Sequence, residues 1–113
     1  MPADVVDLVH LARYTGGDVA LNAEILRLFD GQASELVAQL KTILDARDAK
    51  SWKTAIHTLK GAARGIGAFG LGDAAAAAEP IDPADTSVAA AALEALEAKN
   101  EQVHSFIQAY LAA

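Results

Sequence analysis

Apolar residues recur three and four positions apart along nearly the whole chain, and no segment alternates convincingly as a strand requires. In the middle, Trp52, Ile56, Leu59, Ala63 and Ile66 step by +4, +3, +4 and +3, which places them on one stripe of a helix. A chain patterned this way buries its apolar surface against other helices. His57, Lys60, Gly61 and Arg64 fall on a second stripe, rotated by roughly a quarter turn from the first. The core therefore has its own residues and does not need the histidine, so His57 is expected to face water.

Punctuation divides the chain into five helices. The first is expected from about Ala3 to Arg13, with Val5, Leu8, Val9 and Ala12 on one side. Gly16 and Gly17 break it, and Asp18 caps a second helix that continues to about Ala46. Leu21, Ile25, Phe29, Leu36, Leu40 and Ile43 mark the apolar side of that helix, and Gly31 interrupts it without ending it. Asp48 caps the third helix, which carries Trp52 and His57 and frays around Gly65 to Gly67. An alanine-rich fourth helix runs from about Phe69 to Glu79 and stops at Pro80. Asp82-Pro83 reads as an acidic cap with proline in the first helical position, opening a fifth helix through Leu93, Leu96, Val103, Ile107 and Tyr110. Long helices with short connections predict an all-α fold, an antiparallel four-helix bundle with a short additional N-terminal helix.

At 113 residues the chain reads as a single domain, residues 1–113, with enough length for one core. A net charge of −6 argues against nucleic acid and anionic membranes as partners. No apolar run reaches the roughly 18 residues of a spanning helix, and no signal peptide opens the chain. The absence of cysteine removes disulfides and thiolate metal sites and fits a reducing, cytoplasmic compartment. The start at Met1 leads us to expect a stand-alone protein. A monomer is expected. No GxxxxGK[ST] loop or other nucleotide-binding signature is present, so the chain is not expected to phosphorylate itself from ATP.

Gly61 is the unusual choice on the histidine stripe. Inside a helix it costs about 1 kcal/mol relative to alanine, in a chain that uses alanine freely. One turn after His57 it leaves no side chain beside the ring, so a large partner can approach. Lys60 and Arg64 bring positive charge, which suits a phosphoryl group. Imidazole is neutral and nucleophilic near neutral pH.

His57, Lys60 at +3, Gly61 at +4, and Gly67 at +10 after Ile66 together resemble the signature of histidine-containing phosphotransfer (HPt) domains of bacterial multistep phosphorelays. Gly16-Gly17-Asp18, the stripe beginning at Ile25 to Phe29, and the lead-in from Asp48 to Trp52 are similar to the same family, so the resemblance covers most of the chain. Arg64 and the alanine run Ala74 to Ala78 depart from the usual pattern. The resemblance implies that His57 is the phosphoacceptor in a relay between aspartyl-phosphate receiver domains, which are the expected partners. No cofactor is expected on this chain, because the receiver would carry the Mg²⁺. Glu79, at +22 from His57, matches a glutamate that hydrogen-bonds the histidine in the chemotaxis-kinase branch of the family. Lys60 is expected to screen phosphoryl charge, Arg64 to assist from one turn further on, and Gly67 to end the helix.

Two other readings compete. A noncatalytic adaptor bundle would bind receivers without accepting phosphate. Glu101-Gln102-Val103-His104 is an ExxH, the element of di-iron carboxylate bundles, but those sites need two such motifs and two further glutamates. His10 and His104 are read as ordinary histidines.

Overall fold

A computed structural model describes residues 5–113. It contains five helices: α1 (Leu8–Thr15), α2 (Val19–Ala46), α3 (Ala49–Ile66), α4 (Phe69–Ala78) and α5 (Thr86–Ala112). Among the described residues there is no strand. The four longer helices close a ring in which α2 packs on α3 and α5, and α4 packs on α3 and α5, while α1 lies against α2 and α3. Neighbours run antiparallel, as their tight connections require. Across the α2–α5 seam, Asn22 meets Tyr110, Asp30 meets His104, and Lys41 meets Glu97, so one helix number rises as the other falls.

Local chemistry accounts for most boundaries. Asp18 accepts a hydrogen bond from the Leu21 amide at 3.0 Å, and Asp48 one from the Ser51 amide at 3.1 Å, so both act as N-caps. The Ser51 hydroxyl adds a second bond to Asp48, and these hydrogen bonds hold its carboxyl below the ordinary range. At the far end of α3, Gly67 adopts φ +90°. Its amide donates to the Arg64 carbonyl and the Ala68 amide to the Ala63 carbonyl, a Schellman ending. The Gly67 carbonyl in turn accepts from the Asp7 amide at 3.0 Å, which fastens the start of α1 to the α3–α4 turn.

The core is built from Leu26, Leu40, Trp52, Ile56, Leu59 and Leu96 with small residues between them. Trp52 is fully buried, and its indole N–H donates to the Ala78 carbonyl at 3.1 Å, joining the start of α3 to the end of α4. Ala75, Ala78 and Ala89 are also fully buried, so the alanine-rich segments bring helices into close packing.

Three expectations are corrected. The first helix begins at Leu8 and ends at Thr15, not from Ala3 to Arg13; Ala3 itself lies outside the described residues. Leu11 and Thr15 are its buried residues, with Val6 buried just before it, whereas Val9 is 80% exposed. In α2 the buried line is Asn22, Leu26, Phe29, Ala33, Val37 and Leu40, with Leu21 turned outward. Asn22 replaces an apolar residue there because the Thr15 hydroxyl donates to its carbonyl oxygen and its amide donates to the Tyr110 hydroxyl. Finally, Asp82-Pro83 does not open α5. Asp82 accepts from the Ala84 amide at 2.9 Å within a turn, Pro83 is buried, and the helix starts at Thr86.

Candidate functional site

α3 presents its core stripe inward, with Trp52, Ile56, Leu59 and Ala63 completely buried, and turns the His57 side chain outward at 70% exposure. The ring Nδ1 lies 3.5 Å from Glu79 Oε2, a long ion-pair distance, and Nε2 has no hydrogen-bond partner among the described residues. Glu79 directly follows α4 and reaches back across the α3–α4 seam. Its other oxygen, Oε1, accepts from Lys60 Nζ at 2.6 Å. That hydrogen bond is the main reason the Glu79 carboxyl titrates below its ordinary value; the nearby His57 adds to it, and partial burial opposes it. His57, Lys60 and Glu79 therefore form one linked group, with the carboxylate between the ring and the ammonium.

The other residues singled out in the sequence are placed differently. Gly61 is exposed, and a Cβ built on it would meet nothing within 4 Å, so the gap beside the histidine is open space. Arg64 turns toward α4. Its stem lies over Gly72, where an added Cβ would come within 2.9 Å of Arg64 Cγ, and its guanidinium stands 3.9 Å from Asp73. Gly67 is buried and caps the helix.

Sequence reasoning missed what lies on the N-terminal side of the ring. A helical side chain covers the turn before its own Cα, so His57 leans over Lys53 and Thr54. A depression of about 450 Å³ opens there, lined by Lys50, Lys53, Thr54, His57, Thr58 and Glu79. The available signal was a lysine at i−4 from the histidine. On the other flank, between α1, α2 and α3, an apolar groove of about 480 Å³ includes Tyr14, Leu28, Phe29, Ala62 and Gly65. Tyr14 and Leu28 are both about two-thirds exposed.

A family model, the Hpt domain, matches residues 24–110. The chain belongs to the Hpt domain family. Hpt domains act in histidine phosphotransfer within phosphorelays, where they interact with receiver domains, and the helical bundle agrees with membership. No curated protein and no solved structure matches the chain. Among the described residues no helix is long and apolar enough to cross a membrane. The ExxH of α5 is not part of a metal centre among the described residues: His104 Nδ1 lies 2.8 Å from Asp30, and no group of three potential ligands is assembled.

Proposed function

We propose that this chain relays a phosphoryl group between aspartyl-phosphate receiver domains, with His57 as the phosphoacceptor. The observation that carries the reading is the exposed imidazole with Nδ1 turned to Glu79 and Nε2 unengaged. In the transfer step the Nε2 lone pair attacks the phosphorus of a receiver's aspartyl phosphate. The N–P bond forms, the P–O bond to the aspartyl carbonyl carbon's oxygen breaks, and the carboxylate leaves with the electron pair. The proton stays on Nδ1, so the ring gains positive charge, and the Glu79 carboxylate opposite Nδ1 stabilises it. Lys60 holds that carboxylate in place and adds positive charge near the site. The receiver supplies Mg²⁺ and most of the remaining chemistry, as befits a reaction governed by positioning and electrostatics.

The receiver docks over Gly61, whose missing side chain admits it, and along the groove bearing Tyr14 and Leu28. The test is a phosphotransfer profile with labelled, phosphorylated receiver domains and Mg²⁺. Rapid movement of acid-labile label onto the wild-type chain, and none onto His57→Gln with an unchanged thermal melt, is the expected result. Label on His57→Gln would assign the acceptor elsewhere, and absence of label on wild type with every receiver would favour the adaptor reading.

A further inference from the structure

The cation placed to meet a phosphoryl group is not the one the signature singles out. Lys60 is the lysine of the motif, yet its side chain is only 21% exposed and its ammonium is already 2.6 Å from Glu79. Arg64 is drawn toward Asp73 over Gly72. Lys53 differs from both. It is exposed, it borders the depression into which the His57 ring leans, and among the described residues no carboxylate lies within 4 Å of it. Lys50 also borders the depression but stands seven residues before His57, beyond the turn that a side chain at position 57 covers. Thr54 and Thr58 complete the rim, with the Thr58 hydroxyl donating to the Thr54 carbonyl at 3.0 Å. A phosphoryl group on an imidazole leaning over this turn has the Lys53 ammonium as its unpaired neighbour.

We propose that Lys53 is the cation that pairs with the phosphoryl group carried by His57, while Lys60 serves chiefly to hold Glu79 against the ring. The inference rests on His57 being the phosphoacceptor. It assigns a positioning role and a charge-screening role to two lysines on opposite sides of the histidine.

The test uses the full chain and phosphoramidate, a small donor that transfers its phosphoryl group to imidazole nitrogen with ammonia leaving, so no receiver contact enters. Lys53→Gln, Lys53→Arg, His57→Gln and wild type are compared for labelling rate. The ³¹P signal of each phosphorylated chain is then titrated with pH. Lys53→Gln is expected to label about fivefold more slowly, the size of effect ordinary for one charge-assisted contact at a partly exposed site. Its phosphoryl resonance should titrate at higher pH, because loss of the cation disfavours the dianion, and Lys53→Arg should restore both properties. Lys53→Gln behaving as wild type in rate and titration would overturn the assignment. So would equal slowing by Gln and Arg with no movement of the titration, which would indicate shape and not charge. Absence of label on wild type, or label on His57→Gln, would instead overturn the phosphoacceptor reading and this inference with it.

Discussion

Gly61 separates stability from transfer more cleanly than any other position. It is an exposed glycine inside α3, and nothing lies within 4 Å of the place its Cβ would occupy. Alanine there loses no contact and gains about 1 kcal/mol of helix propensity; arginine, nearly as good a helix former, gains almost as much. With an unfolding entropy near 2.1 cal/mol/K per residue, a chain of 113 residues should melt about 4 °C higher for each stabilising kcal/mol. Transfer should move the other way. Arginine fills the open face one turn from His57, and displacing a docked receiver by an ångström or more costs on the order of 100-fold in rate. Alanine adds only a methyl group and should slow transfer far less. Thermal melts by circular dichroism and single-turnover transfer from one phosphorylated receiver would read the two quantities separately. A Gly61→Arg chain that melts higher but transfers at the wild-type rate would refute the docking gap; one that melts lower would refute the open-space geometry.

Other positions give predictions of different kinds. Lys60→Ala should slow transfer several-fold without abolishing it and should raise the Glu79 carboxyl toward its ordinary value, since the Lys60 hydrogen bond is the main cause of its lowering. Its effect should not add to that of Glu79→Gln, because the two side chains are in contact; additive rate effects in the double variant would refute the linked group. Gly67→Ala should destabilise by about 2 kcal/mol or more and lower the melting temperature by about 8 °C. Left-handed backbone is strained for alanine, and the new Cβ would stand 2.6 Å from the Asp7 carbonyl oxygen; an unchanged melt would refute this. The His104 imidazole, hydrogen-bonded to Asp30, is held above its ordinary pKa. Its contribution is therefore fully present below the unfolded value of about 6.5 and is lost as pH rises through the folded value. The stability gap between wild type and His104→Gln should shrink from pH 5.5 to pH 8.5, and a constant gap would remove the α2–α5 ion pair as its source.

Much of the fold was legible because helix caps and periodicity are local. Asp18 and Asp48 each announce a helix from within four residues, and Gly67 closes α3 by the same short-range logic. The failures occur where a local signal has two outcomes. Leu8, Val9 and Leu11 are all apolar, and only the packing of α1 on α2 and α3 decides that Val9 faces water. Asp82 can cap a helix or close a turn, and burial of Pro83 selects the turn. The site divides in the same way. The common face of His57, Lys60 and Gly61 lies on one helix and follows from spacing. The embrace of Lys60 by Glu79 and the laying of Arg64 over Gly72 depend on the register between α3 and α4, which no single helix encodes.

That register also governs how charge is presented. The chain is acidic overall, yet α3 carries Lys50, Lys53, Lys60 and Arg64 and no acidic residue of its own. Net charge describes long-range behaviour, whereas a bound phosphoryl group samples the few ångströms around it. α4 and the residue that caps it supply the missing carboxylates unevenly: Glu79 closes on Lys60, Asp73 stands loosely by Arg64, and among the described residues no carboxylate comes within 4 Å of Lys53. A lysine with no carboxylate within 4 Å among the described residues is thereby left on the N-terminal side of His57, whereas Lys60 and Arg64, on the side where Gly61 keeps the surface open, each stand by a carboxylate. On the proposed reading, one face of the helix receives the bulky partner while the adjacent turn receives the anion.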